Sequence, residues 1–160
     1  MTAVAVANNP EELACVLIPL CGTQLLLPQV CVAEILPWRR IKTLNGAPDW
    51  CLGVLGWRGE AVPVVRFERL NESRQEAPSV GRCLVVMNRT SEAAALPFYA
   101  LAAEGLPRLV QVAGSDLAAD DAKPGRAESQ IVRLGAENAA IPRLNFVEQQ
   151  VSRLRAGAEL

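Results

Sequence analysis

The sequence predicts an all-β fold made of small antiparallel barrels, and three observations support this prediction. Short apolar runs bounded by glycine, proline and asparagine recur about every 8 to 12 residues, which is typical of small sandwiches and barrels. Sustained helical periods are rare, so the chain lacks the alternation of strands and helices that a parallel sheet requires. The runs fall into two groups, at about 13–70 and 80–143 of the 160 residues, which indicates two lobes.

The clearest predicted element is a β-hairpin at 53–67. Its two apolar runs flank the tetrapeptide Trp57-Arg58-Gly59-Glu60. Gly59 can adopt the positive φ that a tight reversal needs, because it has no Cβ. Since both strands are apolar, we expect the turn to stand in water and to hold the charged Arg58 on a rigid support. The hairpin therefore predicts a recognition element.

Before this hairpin, two opening strands are predicted at 14–20 and 24–27, joined by a glycine-containing turn. The next segment, 28–36, fits a short helix and a strand equally well, because its apolar residues match a period of four and a period of two. Glu34 lies within this segment. We expect its carboxylate either on the wet face or beside a cation.

The connection to the hairpin is predicted to contain two more short elements. The segment 38–41 is predicted to be a strand with its two arginines directed outward. Turn residues at 45–50 are then expected to lead into one helical turn before Cys51.

In the second half of the chain, the pattern predicts five strands and a closing helix. The apolar runs are 83–87, 96–102, 106–112, 131–134 and 139–141. The polar segment 114–130 shows no apolar period and is predicted to be a solvated loop. The helix is predicted at 144–155, where Leu144, Val147, Val151 and Leu154 form one apolar stripe. Polar residues of this helix, including Glu148, are expected to face away from that stripe.

Composition argues against several classes of function. The net charge is -1 and aromatic residues make up only 4% of the chain, so the basic surface and stacking platform of a nucleic-acid-binding protein are missing. No apolar stretch is long enough to span a bilayer. The first 12 residues, predicted to be a flexible N-terminus, lack the pattern of a secretion signal. We therefore expect a cytoplasmic protein that neither inserts into a membrane nor binds nucleic acid.

The cysteines are expected to be small core residues. They are odd in number and scattered, and the chain has no histidine to complete a zinc site or to activate a thiol. A reactive cysteine is the alternative. Neither a metal nor another cofactor is predicted. The cysteines are Cys15, Cys21, Cys31, Cys51 and Cys83.

The segment 17–70 resembles the CheW-like domain of bacterial chemosensory arrays. The resemblance lies in an opening hairpin, a short helix ending at Glu34-Ile35, and then Gly53-Val54, Arg58-Gly59-Glu60 and Val62-Pro63-Val64. Family members read approximately Gly-Val-Ile-Asn-Leu-Arg-Gly, two residues, and Pro-Val-Ile-Asp-Leu in this region. The spacing here is unbroken, whereas the second half resembles the family mainly in its number of strands and its closing helix.

The resemblance implies one domain at 13–155 with two intertwined five-stranded SH3-like barrels, a short helix after the second strand and a C-terminal helix. It also implies a non-catalytic adaptor that couples the cytoplasmic tips of chemoreceptors to the regulatory domain of a CheA-type histidine kinase. In family members, an acidic residue at the position of Glu34 and an arginine at the position of Arg58 sit beside the partner contacts. We expect these two residues to pair.

Departures from the family pattern are concentrated in the hairpin. The family's asparagine and leucine are replaced by Gly56 and Trp57, and an aspartate is replaced by Arg66. The turn is therefore expected to present an exposed tryptophan beside Arg58. The chain thus resembles a divergent accessory member of the ChpC or PilI kind, for a specialised system such as the one that governs type IV pili and twitching. The predicted partner-binding residues are Arg58, Glu34, Trp57, Gly56 and Gly59.

Two other classes of function are alternatives to an adaptor. The first is an enzyme, for which the usual nucleophile, phosphate-binding and metal motifs are missing, although a pair of carboxylates can perform acid–base chemistry. The second is a stand-alone β-barrel that binds a small ligand or a short peptide outside any chemosensory array. This second class predicts thermal stabilisation by metabolites or peptides, and no association with a receptor or kinase.

Overall fold

The computed structural model describes residues 11–73, 76–92 and 94–157, and most of them lie in β-strands or tight turns. The strands are β1 (Glu12–Pro19), β2 (Gln24–Pro28), β3 (Val32–Pro37), β4 (Cys51–Trp57), β5 (Glu60–Val65), β6 (Cys83–Asn88), β7 (Phe98–Ala103), β8 (Arg108–Ala113), β9 (Leu117–Ala119), β10 (Glu128–Leu134) and β11 (Glu137–Pro142). The α-helices are α1 (Phe67–Leu70) and α2 (Leu144–Gly157), and single turns of 3-10 helix lie at Gln29–Cys31 and Gly114–Asp116. The predicted flexible N-terminus lies almost entirely outside the described residues.

The strands form two mixed sheets, and each sheet takes strands from both halves of the chain. The five-stranded sheet has the order β3-β6-β7-β5-β4, and the six-stranded sheet has the order β8-β1-β2-β11-β10-β9. Neighbouring strands are antiparallel except for the parallel pairs β5–β7 and β2–β11. β1 and β2 belong to the first half of the chain but pair with strands of the second half. β6 and β7 belong to the second half but lie in the same sheet as β3, β4 and β5. The two sheets are therefore intertwined.

The predicted all-β, intertwined fold is confirmed, with two differences in detail. One sheet has six strands, because β9 lies in the segment 114–130 that was predicted to be a loop. β9 is short and mostly exposed, and it is held by pairing with β10 rather than by apolar burial. The two groups of apolar runs also do not correspond to the two sheets, since the five-stranded sheet is built from residues 32–103.

The segment after β2 resolves the choice between helix and strand. One turn of 3-10 helix, Gln29–Cys31, is present, but the prediction that this helix extends to Ile35 is wrong. Val32–Pro37 instead forms β3, in which Glu34 is paired with Val86 of β6. The local pattern of apolar residues fits a helix and a strand equally well, and hydrogen bonding to β6 selects the strand.

The connection between β3 and β4 is a loop, so the strand predicted at 38–41 is wrong. Where one helical turn is predicted before Cys51, the structure has a single hydrogen-bonded turn, in which the Cys51 N–H donates to the Pro48 carbonyl oxygen at 3.0 Å. Lys42 alone makes a β-bridge, with Val54 of β4, through backbone hydrogen bonds of 3.0 and 2.8 Å. Gly53 makes this close approach possible, because its φ is 142° and a Cβ there would collide with the carbonyl oxygen of Lys42. The loop is thereby fixed along the outer edge of β4.

The largest apolar cluster joins both sheets to α2. It includes Val16 of β1 and Leu101 of β7, together with Val147 and Val151 of α2. The predicted apolar stripe of the C-terminal helix is therefore confirmed, and burying each of its valines contributes about 1.5 to 3 kcal/mol. No helix among the described residues combines the length and the apolar character needed to cross a membrane.

Glu148 of α2 does not face solvent, so the prediction that it points away from the core is wrong. Only 2% of the residue is exposed. Its carboxylate accepts hydrogen bonds from the backbone N–H groups of Thr90 and Ser91 and from the Thr90 hydroxyl, at 2.7 to 2.9 Å. The phenol of Tyr99 lies 3.5 Å away, and burial and the Glu148 carboxylate raise the pKa of that phenol. Glu148 therefore fastens α2 to the connection between β6 and β7.

A second buried charge, Arg66, lies directly after β5. Its side chain is fully buried, and its guanidinium is 2.8 Å from Glu104 Oε2 and 3.8 Å from Glu68 Oε2. Glu68 Oε2 also accepts a hydrogen bond of 2.9 Å from the Cys21 backbone N–H. Because Cys21 lies in the turn between β1 and β2, the buried charges connect the two sheets.

The thiols agree with the prediction of small residues in or near the core. Cys15, Cys31 and Cys51 are buried, whereas Cys21 and Cys83 are half-buried, and all five are free thiols. Burial raises the pKa of the three buried thiols. Burial and the neighbouring Glu68 carboxylate raise the pKa of Cys21 to about 11. Since the thiolate is the reactive form, raised pKa values do not favour the alternative of a reactive cysteine at these four positions.

Candidate partner-binding site

The hairpin formed by β4 and β5 carries the predicted recognition element at its tip. Trp57 pairs with Glu60, so the reversal consists of only two residues. Arg58 has φ 47° and Gly59 has φ 78°, as a two-residue turn with the twist of the flanking strands requires. The turn is therefore short and strongly specified, and it holds Arg58 in a fixed orientation at the end of two paired strands.

Arg58 is held from two sides. Its Nη2 lies 3.2 Å from Glu34 Oε1, so the structure contains the expected Glu34–Arg58 pair. The guanidinium carbon also lies 4.8 Å from the centroid of the Trp57 ring, within the range of a cation–π interaction. Trp57 Nε1 donates a hydrogen bond of 2.8 Å to the same oxygen of Glu34. One carboxylate oxygen therefore links the arginine and the tryptophan.

The Arg58 side chain remains available to a partner despite these contacts, because 70% of it is exposed, against 36% for Glu34. The guanidinium has five N–H donors in a planar fork, and its hydrogen bond to Glu34 uses Nη2 alone. Such a fork is suited to binding a carboxylate through two parallel hydrogen bonds. The geometry can therefore recognise a charged group on another molecule.

Trp57 is buried, so the prediction of an exposed tryptophan at the turn is wrong. Only 5% of the residue is exposed, and its ring packs edge-on against Phe98 with centroids 4.9 Å apart. Side chains alternate between the faces of a strand, which places Trp57 on the same inward face of β4 as Leu55. Trp57 therefore supports Arg58 from beneath, and its N–H finds a partner in Glu34, as a buried indole usually requires.

The two predicted glycines lie where the surface is open. A Cβ at Gly56 or Gly59 would meet no atom within 4 Å. Gly56 is exposed on the outward face of β4, beside a groove of about 660 Å³ that is also lined by Lys42, Val54 and Arg58. The structure therefore brings all five predicted residues into one region, with Trp57 beneath the surface.

Lys42 is the residue of this region that the sequence reasoning missed. The segment 38–41 is predicted from the sequence to be a strand with outward arginines, and that prediction does not connect the following residue, Lys42, with the hairpin. Its place beside Gly56 depends on the bridge to Val54, and the conformation of Gly53 that permits this bridge has no clear local signal. The run of basic residues was the available clue.

The side chains around Arg58 supply charge, an aromatic ring and apolar surface. No group of three histidine, cysteine, aspartate or glutamate side chains suited to a metal ion occurs in the part of the chain that the structure describes. The groups around Arg58 are the Glu34 carboxylate, the Trp57 indole, and the Lys42, Glu60 and apolar side chains that line the adjoining groove. They can bind and orient a partner, but they do not form a nucleophile activated by a base.

Replacing Gly59 by valine is expected to lower the free energy of unfolding by about 1 to 2 kcal/mol, because a side-chain-bearing residue is strained at positive φ. Lack of space is not the cause, since a Cβ there meets no atom within 4 Å. Urea denaturation of the purified variant measures the loss. Gly56→Val is the matched control: it lies in the same hairpin, has equal space and has no positive φ. An equal loss in both variants would contradict the assignment to backbone strain.

The fold and the hairpin together define a CheW-like domain. Residues 14–147 match the family model "CheW-like domain", and the chain belongs to this family. Among solved structures it is similar to the scaffolding protein TtCheW from Thermoanaerobacter tengcongensis, with a TM-score of 0.70 and 14% sequence identity, over 85% of this chain and 92% of that chain. No curated protein sequence matches the chain. The resemblance recognised from the hairpin is thereby confirmed.

Proposed function

We propose that this protein is a non-catalytic adaptor of a bacterial chemosensory array, which couples the cytoplasmic tips of chemoreceptors to the regulatory domain of a CheA-type histidine kinase. Membership of the CheW-like family supports the general role. The observation that carries the proposal is the Arg58 guanidinium, held in one orientation at the tip of a rigid hairpin by Glu34 and Trp57. The protein would act in the cytoplasm, where receptor tips and kinase meet.

Pre-organisation is the physical reason why such an arginine suits an adaptor. A flexible arginine loses conformational freedom when it binds, which weakens the complex. Arg58 has lost part of that freedom already, because its guanidinium lies over the Trp57 ring and contacts Glu34. Arginine and tryptophan also dominate the binding energy of many interfaces. The cluster therefore resembles the preformed centre of an interface more than a solvated turn.

We further propose that the protein is an accessory member of the family, serving a specialised system such as the one that governs type IV pili and twitching. The support is the altered hairpin, in which Gly56 and Trp57 stand where the family pattern has asparagine and leucine. Trp57 replaces an aliphatic contact by a ring that both fills the core and stacks on Arg58. A modified hairpin is expected to select a modified partner.

Replacing Arg58 by alanine is expected to weaken binding of a receptor-tip fragment or of the kinase regulatory domain by about 1 to 3 kcal/mol. Stability should change by less than about 0.5 kcal/mol, because an exposed ion pair contributes little to folding. Isothermal titration calorimetry with both purified partners from the same genome measures the first effect, and urea denaturation measures the second.

The matched control for Arg58→Ala is Arg153→Ala. Arg153 is exposed on α2, far along the chain from the hairpin, and it makes no ion pair within the described residues. This variant should bind both partners as the parent protein does. The proposal fails if neither partner binds the parent protein, or if Arg58→Ala and Arg153→Ala bind with equal affinity.

A further inference from the structure

The outer edge of β4 is only partly paired. β4 is the last strand of its sheet, with β5 on its inner side. On its outer side, Val54 uses both its backbone N–H and its backbone C=O in the bridge to Lys42. Hydrogen-bonding groups alternate between the two sides of a strand, so Gly56, two residues further on, directs its own N–H and C=O outward in the same way.

The outward groups of Gly56 have no partner among the described residues. The connection from β3 leaves the edge after Lys42, and no hydrogen bond from another described residue reaches the Gly56 backbone. Gly56 is exposed and has open space around the Cβ position. An unpaired donor and acceptor at the edge of a sheet form a template for an added strand. The absence of a side chain at Gly56 leaves the approach unobstructed.

The groove beside this edge carries positive charge. Lys42 and Arg58 both line it, and Glu60 is the single carboxylate among its lining residues. Lys42 makes no ion pair within the described residues, and neither does Arg40, which lines the adjoining cavity with Lys42. Apolar side chains also line the groove, among them Val54 and Ala61. The groove therefore combines a free backbone edge, apolar side chains and two cations.

We propose that this groove binds a short acidic segment of a partner protein in extended conformation, which adds to the outer edge of β4 and pairs with Gly56. Its carboxylates would lie in the groove against Lys42 and Arg58, and the side chains that alternate with them would point to the opposite face of the added strand. The inference rests on the proposed function in one respect: the acidic segment is taken to be part of a protein that the adaptor binds. It adds Lys42 and the Gly56 backbone to the site, and it specifies the chemistry of the partner.

The test uses a blocked hexapeptide of sequence Thr-Val-Glu-Val-Glu-Thr and its counterpart with lysine in place of glutamate. In nuclear magnetic resonance titrations, the acidic peptide should shift the amide of Gly56 and slow its exchange with solvent, because that N–H becomes hydrogen-bonded. The lysine peptide should not. Affinity should fall when NaCl is raised from about 0.05 M to about 0.5 M, since salt screens exposed charges.

Lysine substitutions provide a matched pair of variants. Lys42 and Lys123 are the two lysines of the chain, and both are exposed. Lys42→Glu should weaken binding of the acidic peptide about tenfold or more, because a favourable contact becomes a repulsive one. Lys123→Glu makes the same change of net charge away from the groove and should leave binding unchanged. Equal effects of the two substitutions would overturn the proposal.

Pairing with the backbone is tested at Gly56. Gly56→Pro removes the outward N–H at an edge position, where proline is tolerated. This variant should bind the acidic peptide about fivefold more weakly or worse, because one hydrogen bond that fixes the segment is lost. Gly56→Ala keeps the N–H and should bind as the parent does. If Gly56→Pro unfolds, the exchange rate of the Gly56 amide with solvent in the parent protein provides the test instead. The proposal is overturned if adding the peptide does not slow this exchange. It is also overturned if the exchange slows with rising protein concentration in the absence of peptide, because a second copy of this chain would then be the occupant.

The outcomes separate this inference from the proposed function. If the receptor fragment and the kinase domain bind in an Arg58-dependent way while the acidic peptide leaves Gly56 unaffected, the groove is rejected and the adaptor stands. If the peptide binds through Lys42 and Gly56 while neither array protein binds, the adaptor is rejected and the groove stands. Lys42→Glu should weaken binding of whichever array partner carries the acidic segment, and Lys123→Glu should leave that binding unchanged.

Discussion

Replacing Arg66 by methionine is expected to lower the free energy of unfolding by about 3 to 5 kcal/mol, the usual cost of removing one member of a buried ion pair. The guanidinium is fully buried and is the cation that faces both Glu68 and Glu104. Methionine fills much of the same volume, so the loss comes chiefly from leaving two carboxylates without a counter-charge. Guanidinium chloride denaturation at neutral pH measures it.

A compensated variant is the control for Arg66→Met. Combining it with Glu68→Gln and Glu104→Gln removes the charges together, and we expect this triple variant to recover most of the lost stability, because a buried ion pair exchanged as a whole costs little. Arg66 Nε and Glu68 Oε1 already have no hydrogen-bond partner within the described structure, so the parent network is itself incompletely satisfied. A triple variant no more stable than Arg66→Met would contradict the electrostatic explanation.

Replacing Glu148 by glutamine is expected to lower the free energy of unfolding by about 2 to 4 kcal/mol, as for a buried charged acceptor that loses its hydrogen bonds. Both carboxylate oxygens accept bonds from the Thr90 N–H, and one also accepts from Ser91. Glutamine has the same shape but offers one acceptor oxygen, and its NH2 group would meet an N–H donor. Thermal denaturation measures the loss, and amide exchange along α2 shows whether the helix loosens first.

Gln149→Ala is the control for this second substitution, because Gln149 is exposed on the same turn of α2. Stability should change by less than about 0.5 kcal/mol. If Glu148→Gln is equally mild, the carboxylate does not fasten α2, and the apolar stripe through Val147 and Val151 is sufficient by itself.

The parts of the fold that could be predicted are those specified by local chemistry. The two-residue turn at Arg58-Gly59 follows from a glycine between two apolar runs, and α2 follows from a stripe at helical spacing. β3 could not be separated from a helix, because its identity depends on pairing with β6, which begins at Cys83 and lies far along the chain. β9 gave no signal, since a short exposed strand held by hydrogen bonds needs no apolar pattern.

The structure brings the five predicted site residues together, but it buries Trp57 beneath the others, which was not predicted from the sequence. The pairing of Glu34 with Arg58 came from the family resemblance, and the structure contains it. The burial of Trp57 follows from the alternation of side chains that also places Leu55 in the core, although the position of Trp57 next to the turn suggests exposure. Arg66 and Glu148 were missed for one shared reason. A charged residue in a sequence is expected at the surface, and only the arrangement of distant partners shows that it is buried and paired.

The exchange of strands between the two sheets has a consequence for biosynthesis. β1 and β2 are translated before the other strands, yet they lie between β8 and β11, so their sheet cannot close until β11 has been translated. Folding dominated by such distant pairings is slow, and nascent chains with open strand edges are prone to aggregate. A gene truncated before β11 should therefore yield insoluble product rather than a smaller working module, even though every strand of the five-stranded sheet would already have been made.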